Sequence, residues 1–410
     1  MLASQLNPIV RAERDAGRAA ALAVAAAAAT ASAGTMAAVG AASAAVAVGL
    51  PVYDPGTTTG LALADIDGDG AEDLIVTTVA GLPSRLYLGD ADGGFSRAAC
   101  TRLGVLGAAP HTSSVAVADV DGDGTADLVF GNEGAPNQIY LGDPSRPGAY
   151  STPPLAFGPA ADVTKGIAVA DVDADGAADI VVANDGAPHR VYLGVLGLGA
   201  RGTPARGGVC SFGGNRTTLS VGLGDLDHDG RIDLVFGNRG ASDEVYLGAG
   251  AQAGAWSGDG DAGASLLLPN TAGAPTAAVA IGDVTGDGLA DLVLGVDGAP
   301  SLVFVGINGS LGEGAAGGGG FGRTAWPLSW HDGAARALVL VDADADGDVD
   351  VVVGDAAGTS YLLYNDGTPP PLVDSGWQPS TTDETDGPAI AGAAAAADVL
   401  ATGGGWPPAA

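Results

Sequence analysis

The hydrophobic residues of this chain come in short runs broken by acidic, glycine-rich segments. GLALAD, VAVAD, IAVAD, VGLGD, VAIGD and LVLVD each run into an Asp. After each break a second run begins, as in DLIVTTV, DLVFGN, DIVVAND and DVDVVVGD. Apolar runs this short, bounded by turn residues, read as buried strands. A third strand-like segment follows a glycine-rich turn: SRLYLGD at 84–90, NQIYLGD at 137–143, HRVYLGV at 189–195, DEVYLGA at 243–249, SLVFVGI at 301–307 and SYLLYND at 360–366. A fourth short segment near a Phe often follows, at 93–95, 156–158, 211–213 and 320–322. Four short antiparallel strands per unit, repeated along the chain, predict an all-β fold of propeller blades.

The breaks themselves carry the pattern D-x-D-x-D-G-x-x-D. It begins at Asp65, Asp119, Asp171, Asp225, Asp283 and Asp342, with starts 54, 52, 54, 58 and 59 residues apart. A period of this size marks one supersecondary unit copied along the chain. The candidate ligands at positions 1, 3, 5 and 9 are Asp65, Asp67, Asp69 and Asp73 in the first copy, and Asp119, Asp121, Asp123 and Asp127 in the second. They are Asp171, Asp173, Asp175 and Asp179 in the third, and Asp225, Asp227, Asp229 and Asp233 in the fourth. The fifth has Asp283, Thr285, Asp287 and Asp291, and the sixth Asp342, Asp344, Asp346 and Asp350. So many carboxylates in nine residues repel one another unless a cation sits between them. Oxygen donors alone suit a hard ion such as Ca2+ and argue against Zn2+. Gly at position 6 (Gly70, Gly124, Gly176, Gly230, Gly288 and Gly347) permits the sharp turn. Position 7 varies freely, from Ala71 to Arg231, so its contribution is expected from the backbone carbonyl. An EF-hand would need Glu at position 12, where this chain has Val76, Phe130, Val182, Phe236, Leu294 and Val353. The loop therefore joins two strands, not two helices.

Gly-Ala-Pro recurs at 134–136, 186–188 and 298–300, with Gly-Leu-Pro at 81–83 and Gly-Ala-Ser at 240–242, and Phe-Gly at 157–158, 212–213 and 321–322. With the acidic loops, these motifs resemble FG-GAP or VCBS-type repeats, the family that includes the N-terminal propeller of integrin α subunits. The resemblance covers roughly residues 51–367. It implies up to six structural Ca2+ ions in the hairpin loops between the first two strands of each blade. Thr285, a neutral donor, departs from the pattern, and the fifth loop is expected to be the weakest.

Composition sharpens this picture. The net charge is −32, and nearly half of the 48 acidic residues stand at motif positions. The acidity is thus mostly a statement about metal, and nucleic-acid binding is disfavoured for want of Lys and Arg. Residues 1–50 are a different material: Arg11, Arg14 and Arg18 precede an uncharged, Ala-dominated stretch. It reads as an export signal ahead of a propeller at 51–405 and a tail at 406–410, with membrane association only if the segment stays as an anchor. A secreted or cell-surface location follows, where millimolar calcium fills weak sites. Asn215-Arg-Thr and Asn308-Gly-Ser are candidate glycosylation sequons. The segment 387–405, with DVLATG at 398–403, resembles a degraded repeat that has lost its metal loop. It predicts seven blades, the last closed by strand from residues 40–60.

No nucleophile–base pairing, phosphate loop or HExxH appears. Cys100 and Cys210 read as two isolated thiols, and His111, His189, His228 and His331 are scattered, with His228 expected to point outward from its loop. Six equivalent copies argue for structure over catalysis, so a monomeric, non-enzymatic module recognising protein or glycan is expected. Its face loops at 144–164, 197–218, 249–276 and 308–335, with Trp256, Trp326 and Trp330, would carry recognition. A secreted hydrolase or lyase is the alternative.

Overall fold

A computed structural model describes residues 58–71, 73–78, 82–89, 95–103, 110–194, 208–248, 266–268, 273–306, 326–327, 335–341, 348–355, 360–363 and 365. The expectations for the N-terminal segment, the closing seventh blade, Asn308, Trp256 and Trp330 fall outside them, as does the side chain of Trp326. Every described regular element is a strand. The first unit comprises β1 (Thr58–Ala64), β2 (Asp73–Thr78), β3 (Ser84–Gly89) and β4 (Phe95–Leu103). The second comprises β5 (His111–Ala118), β6 (Asp127–Glu133), β7 (Asn137–Tyr140) and β8 (Leu155–Phe157). The third comprises β9 (Val163–Ala170), β10 (Asp179–Asp185), β11 (His189–Leu193) and β12 (Gly208–Phe212). The fourth comprises β13 (Thr217–Gly224), β14 (Asp233–Arg239), β15 (Glu244–Tyr246) and β16 (Leu266–Leu267). The fifth comprises β17 (Thr276–Gly282), β18 (Asp291–Val296), β19 (Leu302–Phe304) and β20 (Trp326–Pro327). The sixth comprises β21 (Ala335–Val341), β22 (Asp350–Asp355) and β23 (Ser360–Leu363).

Within each unit successive strands pair antiparallel in chain order, which is the meander of a propeller blade. The second strand is the buried spine: β2, β6, β10, β14 and β18 are covered along nearly their whole length. Two of the expected elements shift. The fourth strand of the fifth unit is Trp326–Pro327, whereas 320–322 lies outside the described residues. The connection 144–164, expected as a recognition loop, contains β8, at the place where 156–158 was expected as a fourth segment, and also the start of β9.

Apolar clusters lie between consecutive units, so units two to five each bury one face against the blade before and one against the blade after. Ala62, Ile75 and Leu86 meet Val115, Leu128 and Phe130 between units one and two. Val169 and Ile180 meet Val129 and Ile139 between units two and three, and further clusters carry the stack to unit six. Approach is close enough that a methyl would not fit at some positions. A Cβ on Gly222 of β13 would stand 2.5 Å from Val279 Cγ1 of β17. These are the β-propeller and its nearest-neighbour architecture, as the repeat period predicts.

Polar links reinforce the stack on the inner strands. The Thr59, Ser113 and Ser220 hydroxyls donate to the carbonyls of Thr112, Thr164 and Thr276 in the next unit. Lys165 of unit three pairs with Glu133 of unit two at 2.6 Å, and Arg336 of unit six with Asp297 of unit five at 2.8 Å. A buried pin recurs at the end of the second strand. Asn132, Asn184 and Asn238 accept from the hydroxyls of Thr112, Thr164 and Thr218. Their amides donate to the carbonyls of Pro136, Pro188 and Ser242, which closes the turn the Gly-Ala-Pro motif marks. One charged pair appears twice with its signs exchanged. In unit three Asp162 receives Arg190, 3.0 Å from Nε. At the corresponding positions of unit four, Arg216 Nε donates to Glu244 at 3.0 Å.

Candidate metal loops

Each acidic loop connects the first strand of a blade to the second, at one end of the stack. The carboxylate at position 1 organises the turn. Asp65, Asp119, Asp171, Asp225 and Asp283 each accept through Oδ2 from the Gly N–H at position 6, at 2.8–3.0 Å. Position 5 accepts from the N–H at position 7 in the same five loops. In loops one to four, position 3 likewise accepts from position 5. The chain thus curls around its own acids, and it turns left-handed twice. Position 6 has φ between 83° and 88°, which Gly supplies without strain. Position 4 is also left-handed, a requirement the motif did not announce: Gly68, Gly122 and Gly286 meet it freely, while Ala174 (58°) and His228 (57°) do so with a side chain.

Position 9 is built differently. Asp73, Asp127, Asp179, Asp233 and Asp291 are fully buried. One oxygen accepts from the N–H of position 2, as Val120 to Asp127 at 2.9 Å. The other accepts from the end of the third strand, as Gly142 to Asp127 at 2.7 Å. This single side chain therefore ties the loop to two strands. Burial pushes Asp73, Asp233 and Asp291 up to about 6 and Asp127 and Asp179 up to about 7, against those backbone donors. At position 3, burial and then the position-5 carboxylate raise Asp121, Asp173 and Asp227 as well. Acids held above their ordinary range by burial and by one another are what a cation relieves.

The ligand geometry is repeated but graded. In loops one to three, positions 1, 3 and 9 bring carboxylate oxygens within 4.8 Å of one another: Asp65, Asp67 and Asp73; Asp119, Asp121 and Asp127; Asp171, Asp173 and Asp179. In loop four the gathered acids are Asp225, Asp227 and Asp229. There Arg231, at position 7, places Nη1 3.2 Å from Asp229 Oδ2, a positive charge inside the loop. Loop five does not gather three carboxylates, and the Thr285 N–H adds a second donor to Asp291 Oδ2 at 2.9 Å. In the sixth loop Asp342, Asp344 and Asp346 lie outside the described residues, while Asp350 is buried and accepts from Asn365 at 2.7 Å. The donor set is hard oxygen throughout, so the residues present fit Ca2+.

His228 is exposed as expected, yet its Nε2 accepts from the Ala290 N–H at 3.1 Å and so joins loop four to loop five. Cys210 is a free thiol on β12. Asn215, of the first sequon, is exposed between β12 and β13. His189 is buried, stacked on Phe236 with ring centroids 3.9 Å apart, and is a core residue.

No curated protein matches the sequence. Among solved structures, Sqt1 from Chaetomium thermophilum is similar at 12% identity, covering 75% of this chain and 68% of its own, with a TM-score of 0.49. The crystal structure of BBS1N in complex with ARL6DN shares 12% identity over 78% of this chain and 81% of that one, with a TM-score of 0.47. A Bacillus licheniformis rhamnogalacturonan lyase follows at 14%, covering 74% and 56%, with a TM-score of 0.39. The sequence itself is more decisive: the FG-GAP-like repeat profile matches residues 65–130, 119–182, 171–236 and 225–294, each span running from one acidic loop through the next. The chain therefore belongs to the FG-GAP-like repeat family.

Proposed function

We propose that this protein is a calcium-stabilised recognition module that works outside the cell, the ions being structural. The observation that carries the metal reading is the recurrence, in four successive blades, of three carboxylates within 4.8 Å inside a loop already curled by its own N–H donors. Asp65, Asp67 and Asp73, with their counterparts in loops two and three, would hold the ion. In loop four Asp225, Asp227 and Asp229 would do so. Bound Ca2+ would supply positive charge that cancels carboxylate repulsion and fixes the first two strands of a blade. Repetition favours a structural role over a catalytic one, because a reaction centre is built once. The protein or glycan ligand would be met by loops on a propeller face, the usual seat of recognition on a rigid scaffold.

Weak extracellular-type sites, with constants of about 10⁻⁴–10⁻³ M, each add roughly 0.4–1.4 kcal/mol at millimolar calcium. Several together rival the net stability of a domain. Scanning calorimetry with calcium and with chelator, alongside metal analysis of the purified chain, tests this. A melting temperature indifferent to chelation, with no bound calcium, would refute it. A glycan array probed with and without calcium then separates sugar from protein ligands.

A further inference from the structure

The segment between β7 and β8 forms a strap that departs from the blade pattern. Its base is Gly142, whose N–H donates to buried Asp127 of the second loop and which bridges to Tyr150. The strap closes on itself through Asp143 N–H to the Ala149 carbonyl at 3.0 Å and Ser151 N–H to the Leu141 carbonyl at 2.8 Å. The Asp143 carboxylate accepts from the Ser145 N–H at 3.0 Å and from Arg146 Nε at 2.8 Å. The tip then leans onto the preceding blade. A Cβ placed on Gly148 would stand 3.6 Å from both Asp67 Cβ, in the first loop, and Leu88 Cδ2.

Tyr150 returns from that tip into the cluster between units one and two. Its hydroxyl is buried and makes no hydrogen bond. Burial raises its pKa, and the next causes are the charges of Asp127 and Asp73, the position-9 acids of loops two and one. Other tyrosines look elsewhere: Tyr192 feels Arg190 and Asp162, and Tyr246 feels Glu244 and Arg216. The strap thus has its base on one candidate site, its tip on the next, and an unsatisfied hydroxyl buried in the cluster that joins their two blades.

On the metal reading above, we propose that the 142–151 strap couples the first and second sites, with Tyr150 as the positioning residue between Asp73 and Asp127. A cation in either loop fixes one end of the strap and so favours the arrangement the other loop needs. Loops three and four are joined by nothing comparable among the described residues and serve as the comparison pair.

The test uses Tb3+, an oxygen-seeking stand-in for Ca2+ whose emission a nearby tyrosine sensitises, on the full chain. Loss of site two through Asp119→Ala should weaken site one on the order of threefold, whereas Asp171→Ala should leave site four unchanged. Tyr150→Phe, and separately Asp143→Ala on the exposed strap, should abolish that coupling. Tyr150→Phe should also remove most of the sensitised emission from sites one and two while they still bind, as read by calcium competition. Equal independence of both pairs in the parent chain, or coupling that survives both strap variants, would overturn the proposal with the metal reading intact. A parent chain that binds no Tb3+ or Ca2+ would overturn both.

Discussion

The position-9 aspartates govern how this protein should respond to pH. Without metal, the folded chain keeps protons on Asp127 and Asp179 up to about pH 7, whereas the unfolded chain releases them near 3.8. The folded state thus binds more protons across that window, and stability falls as pH rises through it. Glu133 has the opposite sign. Burial raises it, but hydrogen bonds from His111 and Lys165 prevail and hold it at about 2, so its contribution is lost as pH drops from 4.5 towards that value. In chelator, melting should therefore be several degrees higher at about pH 5 than at about pH 8. Millimolar calcium, which favours the charged carboxylates, should reverse the order; calorimetry at both pH values decides. Arg231 supports a second expectation. Its side chain is 45% exposed and its guanidinium sits on Asp229, so Arg231→Ala should lower stability slightly in chelator and strengthen calcium binding at loop four a fewfold, by titration calorimetry. A weaker fourth site in that variant would contradict the role.

At the scale of the strand and turn, the Thr–Asn pin decides where a blade ends. Asn184→Ala leaves the Thr164 hydroxyl and the Pro188 carbonyl without their buried partner, and should cost about 2 kcal/mol in urea unfolding. In the first blade Thr78 does part of this work, donating to Leu82 at 2.9 Å, and Thr78→Ala should cost about half as much. Much of this scale was legible in the chain. The acidic loops and their flanking strands could be read because position 1 always closes one apolar run and position 9 always begins the next. The pin was not, because an Asn two residues before a Gly reads as an ordinary turn residue. Tyr150 and the Arg216–Glu244 pair were hidden for a different reason: each acts across a separation that no local period encodes. Position 4 was partly visible as Gly68, Gly122 and Gly286, but Ala174 and His228 masked its left-handed requirement.

Across the whole molecule, stability resides in successive interfaces. Gly222 illustrates how finely these are set, since its missing methyl lets Val279 of the next blade approach. Gly222→Ala should destabilise by about 1–3 kcal/mol, with much of the loss recovered by adding Val279→Ala, because the second change vacates the space the first invades. Additive losses in thermal melts would show that the clash is not the cause. The exchanged pair, Asp162 with Arg190 and Arg216 with Glu244, bears on how such a gene can change. Repeats so alike in sequence invite recombination between copies. A crossover between these two units that falls inside the segment from first to third strand would set Asp162 against Glu244, or Arg216 against Arg190. Like charges would then meet where Glu244 is fully buried and Arg216 nearly so. Loss or gain of a unit by that route would be selected against at the fold, and copies that look interchangeable are held in a fixed order.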